Sequence, residues 1–93
     1  MPSELQFHRQ FDKDVRRLKK AGWDMKKLEL FILELQKSPP YPDHYDIHPL
    51  QGNLDGVWDA HVMHNWVVLF RPLQPGVIEL LKTGTHAYLG MSS

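Results

Sequence analysis

The sequence predicts an α+β domain of order β-α-α-β-β-β, with two helices packed on one face of an antiparallel sheet. Three observations lead there. The first third of the chain carries apolar residues at helical spacing. The last third carries short apolar runs separated by tight turns. A proline-rich stretch divides the two. With 93 residues, 42% of them hydrophobic and 24% charged, the chain suits one globular domain over residues 1–93 with a single modest core.

Leu5-Gln6-Phe7 reads as a short opening strand. From Arg9 the period becomes helical: Phe11, Val15 and Leu18 form an apolar stripe, and Arg9, Lys13, Arg16, Arg17 and Lys20 gather on the other side. Gly22 is a natural helix stop and Asp24 a natural N-cap for a second helix. That helix runs to about Lys37, ahead of Ser38-Pro39-Pro40. Met25, Leu28, Phe31, Ile32 and Leu35 make its core face, with Leu30 and Leu33 on the other side. A helix apolar on two faces is either sandwiched in the core or offers one face to a partner.

Residues 38–55 read as loop, with Pro39, Pro40, Pro42 and Pro49 followed by Gly52, Asn53 and Asp55. Three strands are expected after it: Val57–Val62, Trp66–Arg71 and Val77–Lys82. A turn at Met63-His64-Asn65 and a loop from Pro72 to Gly76 join them as a meander.

Composition excludes several classes of function. There is no cysteine, so disulfides, zinc fingers, thiolate nucleophiles and iron–sulfur clusters are ruled out. A small secreted domain would normally need such staples, so an intracellular, cytoplasmic location is expected. No apolar signal segment opens the chain, and the run Val67–Phe70 is far short of the ~20 residues that span a bilayer. The net charge of zero conceals an asymmetry: residues 1–37 hold nine Lys/Arg against six Asp/Glu, residues 38–93 two against five. The whole chain is no strongly electrostatic nucleic-acid binder, yet its N-terminal part can present a basic face. No P-loop, GxSxG or dinucleotide fingerprint is present.

Five of the six histidines fall within residues 38–93. Strand parity puts Trp58, Ala60 and Val62 on one face, toward the helices, and Asp59 and His61 on the other, open to solvent or ligand. Lys82 and His86 lie at and beyond the last run, so they face His61 across a strand at about 10 Å. His48 arrives from the loop ahead of the sheet, while His44 and His64 read as loop and turn residues. Three imidazoles and a lysine suit metal-free phosphoryl chemistry. Cleaving RNA needs a base for the ribose 2′-hydroxyl, an acid for the leaving 5′-oxygen and a cation near the phosphorane. Imidazole can serve as either acid or base near neutrality, each role contributing roughly 10²–10⁴-fold. A histidine metal site is the alternative, but there is no HExxH and no firm ligand spacing, so no metal or other cofactor is expected. Trp58 and Trp66 read as core residues, with base stacking open to one on the far face.

The residues so far collected carry a family likeness. His48-Pro49-Leu50-Gln51-Gly52, Asp59-Ala60-His61-Val62, Asn65-Trp66 and Thr83-Gly84-Thr85-His86-Ala87 resemble, in order and spacing, the YafQ branch of the RelE/ParE toxin superfamily. Lys13-Asp14-Val15 and Asp24-Met25-Lys26-Lys27-Leu28 resemble its helical half. The resemblance implies a RelE-like fold and a type II toxin. Such toxins are mRNA endonucleases that cut codons in the ribosomal A site without metal and are neutralised by a cognate antitoxin. The toxin–antitoxin complex would bind operator DNA through the antitoxin.

By position, His48, His61 and His86 match the family's catalytic histidines, and Trp66 a tryptophan of the site. His61 and His86 are then the expected proton-transfer pair, with His48 assisting, Lys82 stabilising the phosphate, and Asp59, Asn65 and Trp66 shaping the substrate site. Arg9, Lys13, Arg16, Arg17 and Lys20 would hold ribosomal RNA phosphates. Leu30 and Leu33 would contact the antitoxin. Three positions depart from the pattern. Asn65 replaces a carboxylate, Lys82 replaces an arginine, and Gly90 replaces a C-terminal aromatic, with Tyr88 and Met91 nearby. Two rival expectations follow: a non-enzymatic, ParE-like gyrase inhibitor, and a catalytically inactive relative that binds antitoxin.

Overall fold

Elements follow the chain as β1 (Glu4–Phe7), α1 (Arg9–Lys20), α2 (Met25–Gln36), a 3₁₀ turn (Asp43–Tyr45), β2 (His48–Pro49), β3 (Trp58–Met63), β4 (Trp66–Gln74) and β5 (Val77–Gly84). The computed structural model describes residues 3–37, 39–50 and 56–90. Ser38, Gln51, Gly52, Asn53 and Asp55 of the expected loop lie outside the described residues, as does Met91.

Local chemistry fixes both helices. His8 opens α1, its Nδ1 accepting from the Gln10 N–H at 3.0 Å. The helix closes in a Schellman motif: Trp23 N–H reaches Leu18 C=O and Gly22 N–H reaches Lys19 C=O, both at 3.1 Å, with Gly22 at φ 86°. Asp24 caps α2 as expected, accepting from the Lys26 N–H at 3.1 Å. The buried stripe of α1 is Phe11, Asp14 and Leu18, with Val15 only half-buried. The expected stripe is therefore rotated, and a carboxylate takes a core position.

The sheet runs β1-β5-β4-β3-β2. The β2–β5 part is the antiparallel meander the turns predict, but β1 joins β5 in parallel, Glu4 opposite Val77 and Phe7 opposite Leu80. The sheet is thus mixed, because the chain passes through both helices and the meander before reaching β1's partner. Within the expected loop, His48–Pro49 forms an extra edge strand opposite Asp59 and Trp58. Pro49 is tolerated there because an edge strand leaves N–H positions unused. The β4 strand continues through Pro72 to Gln74, where the register with β5 shifts and a bulge accommodates the proline. The turn is only Pro75-Gly76, with Gly76 at φ 82°.

Two clusters of buried residues follow from strand parity. On the helix side, Phe11, Leu18, Leu28, Phe31 and Leu35 pack against Ala60, Trp66, Val68, Phe70, Ile78 and Leu80. The far face is not fully open. Val57, Val67 and Leu69 are buried there beneath Leu50, Leu81 and Leu89.

Phe31 is fully buried, its ring edge-on to Tyr45 at 5.0 Å, whereas Leu33 on the same helix is 57% exposed. Phe31→Ala should lower unfolding free energy by about 3–5 kcal/mol in a urea titration. Leu33→Ala should stay within about 0.5 kcal/mol of the parent.

Candidate active site

The far face of the sheet brings His48, Asp59, His61 and His86 together. Pairing of β2 with β3 sets His48 opposite Asp59. Ahead of β2, Asp46 adopts a left-handed conformation, φ 47° and ψ 52°, ending the 3₁₀ turn. Its carbonyl lies 2.9 Å from His48 Nδ1. A carbonyl only accepts, so Nδ1 carries the proton and Nε2 is the reactive nitrogen of His48. That Nε2 stands 3.0 Å from Asp59 Oδ1, an ion-pair distance without hydrogen-bond alignment. Asp59 is 1% exposed, which corrects the expectation that it faces solvent: the cover over this face closes on it. Burial pushes its carboxyl up, and the neighbouring His48 and His61 pull against that shift.

His86 reaches the site by a route that strand spacing does not foresee. After β5 the chain turns back over the sheet, with Leu89 N–H bonded to Thr85 C=O at 3.1 Å. His61 Nε2 and His86 Nε2 consequently lie 3.1 Å apart, rather than at the expected separation of two strands. Asn65, in the β3–β4 turn, orients His86. Its Oδ1 accepts the His86 backbone N–H at 3.2 Å, and the same oxygen lies 2.8 Å from His86 Nδ1. The backbone donor identifies that atom as the amide oxygen, so Nδ1 must also donate to it. Nε2 is again the nitrogen left for chemistry, and it faces His61.

The two close contacts differ in kind. Two bare nitrogens repel at 3 Å, so the His61–His86 contact is favourable only with a proton between them, whereas His48 and Asp59 meet as an ion pair and share no aligned hydrogen bond. The His48 and His61 rings stack at 6.3 Å, which sets the two contacts side by side. His61 Nδ1 is buried without a hydrogen-bond partner, 3.9 Å from Asp46 Oδ2. Asp46 joins the site without a mark in the sequence, because its left-handed turn, and not strand parity, aims it at His48 and His61.

Other expected residues are placed differently. Lys82 is exposed and stands in the cross-sheet row of Leu69, Asp59 and His48, two strands from Asp59. Trp66 is on the helix side of the sheet, 2% exposed, edge-on to Trp23 at 5.0 Å and donating to Thr83 Oγ1 at 2.9 Å. It cannot touch substrate at the histidines, because the parity that points His61 outward points Trp66 into the core. Arg9, Lys13, Arg16 and Lys20 are exposed on α1, but the Arg17 guanidinium is stacked over the Tyr88 ring at 4.1 Å and leaves the basic stripe. Leu30 and Leu33 are 55% and 57% exposed. Among the described residues no three His, Asp or Glu are grouped as metal ligands. An apolar groove of about 950 Å³, lined by Tyr41, Ile47, Trp58, Phe70 and Leu73, lies on the helix side, and Asp46 on its wall also borders His48 and His61.

Comparison with known proteins identifies the family. A family model described as the bacterial toxin of type II toxin–antitoxin systems, YafQ, matches residues 3–91. The mRNA interferase toxin YafQ of Escherichia coli strain K12 is 37% identical over 87 residues, covering 92% of this chain and 94% of the relative. The toxin in the crystal structure of the E. coli DinJ–YafQ toxin–antitoxin complex superposes with a TM-score of 0.85 at 34% identity, over 96% of this chain and 98% of that one. A metal-bound toxin from Helicobacter pylori gives 0.83 at 28% identity, over 96% and 99% of the two chains. Fold, length and sequence agree over nearly the whole chain, which therefore belongs to the YafQ family of bacterial type II toxins.

Proposed function

We propose that the protein is an mRNA interferase, an endoribonuclease that cuts mRNA in the ribosomal A site by metal-independent acid–base catalysis and is silenced by a cognate antitoxin. The observation that carries this reading is the His61–His86 nitrogen contact with the His48–Asp59 ion pair beside it on one sheet face. The relatives support it: one is named as an mRNA interferase toxin, and another was solved with an antitoxin.

In the cleavage, a base takes the ribose 2′-hydroxyl proton and the 2′-oxygen attacks phosphorus. The bond from phosphorus to the 5′-oxygen breaks, and an acid protonates that oxygen. The products are a 2′,3′-cyclic phosphate and a 5′-hydroxyl. Acid and base must reach oxygens on opposite sides of the phosphorus. Two nitrogens 3.1 Å apart cannot straddle it without separating, so His61 and His86 act as one unit. His48, backed by Asp59, supplies the other transfer. This alters the division of labour expected from sequence, in which His48 only assisted. Imidazole can give or take a proton, so each unit can fill one of the two roles. Asn65 keeps His86 in the reactive tautomer, and Lys82 contributes charge at the edge of the site. Trp66 acts only through Thr83.

Arg9, Lys13, Arg16 and Lys20 hold ribosomal RNA phosphates. Leu30 and Leu33 contact the antitoxin, through which the complex reaches operator DNA. The protein acts in the cytoplasm, where ribosomes are. No helix among the described residues is long and apolar enough to cross a membrane.

Primer extension on a defined mRNA with programmed ribosomes tests the central claim. Cuts at A-site codons should persist in EDTA and fall at least about 100-fold in His86→Ala. Absence of cuts from folded protein, with inhibition of DNA supercoiling instead, would move the reading to a gyrase-directed toxin.

Asp59 tests the electrostatics separately. Its raised pKa means the fold binds that proton more tightly than the unfolded chain does. Stability therefore falls as pH rises through the carboxyl range. Asp59→Asn should raise the melting temperature by a few degrees at pH 7 and hardly at all near pH 3, while slowing cleavage. No difference between the two pH values would refute the assignment.

A crossed binding test separates the two faces. Lys13→Glu with Arg16→Glu should weaken ribosome sedimentation, flatten its salt dependence and spare antitoxin affinity. Leu30→Asp with Leu33→Asp should do the reverse.

A further inference from the structure

Asp14 takes no part in these proton transfers, yet it is 1% exposed and both its carboxylate oxygens are engaged. Oδ2 accepts the Thr83 backbone N–H at 3.1 Å. Oδ1 accepts the Tyr88 hydroxyl at 2.5 Å and Gln10 Nε2 at 3.0 Å. Thr83 and Tyr88 lie on either side of His86 in the chain. One buried carboxylate on α1 thus grips the backbone before the histidine and the side chain after it.

The rest of the segment is built around that grip. Thr83 is fully buried, its hydroxyl donating to Val67 C=O at 2.9 Å and accepting from Trp66. The Tyr88 N–H donates to Thr85 Oγ1 at 3.1 Å, which tightens the turn that carries His86. The Tyr88 ring passes so close to Gly84 that a Cβ there would fall 2.7 Å from Tyr88 Cδ2. Arg17 covers the ring from α1. The bond to Asp14 pushes the Tyr88 phenol above its ordinary range, so its hydroxyl remains a donor at neutral pH.

We propose that Asp14 and Tyr88 form a clamp that fixes the His86 imidazole for RNA cleavage, both acting as positioning residues while Arg17 steadies the Tyr88 ring. The role in cleavage rests on reading His86 as a catalytic residue. Asn65 holds His86 from the β3–β4 turn, and the clamp holds the segment from α1. The imidazole needs both, because Asn65 alone leaves the turn free to pivot about one side chain. Arg17, exposed on α1, thereby also serves the segment that carries His86.

The test compares Tyr88→Phe and Asp14→Asn with the parent, each as the full chain. Tyr88→Phe removes one oxygen from a side chain 46% exposed, so it reports even if Asp14→Asn unfolds. Asparagine offers a single acceptor and can satisfy only one end of the clamp. Cleavage on programmed ribosomes at saturation should slow about 10–100-fold in Tyr88→Phe, the scale of a misplaced catalytic group, with the half-saturating ribosome concentration unchanged. Side-chain ¹H–¹⁵N NMR should show His86 signals broadened or doubled and His48 signals in place. Unchanged rate with unchanged His86 signals overturns the clamp. So does a loss of ribosome affinity without a slower saturated rate, or an equal disturbance of His48 and His86. If the parent itself cuts no RNA, the interferase reading fails, and the His86 signals still decide whether the clamp exists.

Discussion

The central strand β4 has to be covered on both sides. Trp66 through Phe70 are all buried, so apolar side chains leave the strand in two directions and each must be kept from water. Two twelve-residue helices cover one face. For the other face the described chain supplies little more than Leu50, Leu81 and Leu89. Where this thin cover ends, polar groups on the same face meet solvent by degrees. Asp59 lies beneath it, His61 at its margin and His48 outside it. The graded burial that the candidate chemistry uses is therefore a consequence of covering a two-faced sheet with a short chain.

Burial and reactivity pull against one another at this margin. A carboxylate under cover and an imidazole nitrogen without a partner are both unfavourable for folding, and strained polar groups of this kind gather at reactive sites. The α1 helix stands on the favourable side of that balance. Its buried carboxylate is completely hydrogen-bonded, and it ties the helical layer to the segment after β5. One acidic residue is thus held for structure and another for chemistry. The number of hydrogen bonds each accepts tells them apart.

Much of the fold was legible because its signals are local. Asp24 and Gly22 mark helix ends through interactions within a turn of sequence, and alternation in Trp58–Val62 assigns faces without reference to partners. What escaped depends on distant chain. The parallel pairing of β1 depends on β5, and the burial of Asp14 on Thr83 and Tyr88. The approach of His86 to His61 depends on a turn beyond the last strand. At the site, residue type found the three histidines, Asp59 and Asn65. The structure sets Trp66 in the core and lays Arg17 over Tyr88, since an indole and a guanidinium serve as readily in packing as in recognition, and only geometry separates the two uses.

The pairing of Glu4–Phe7 with Val77–Leu80 also bears on synthesis. The first strand made waits for the last, and closing so long a loop is entropically slow. While the chain is still emerging, α1 can form, but Asp14 has neither Thr83 nor Tyr88 to grip. The fold is completed only after β5 and Tyr88 have been made, so a shorter nascent chain lacks an assembled site. A partner already present in the cell would meet the chain before its site is complete.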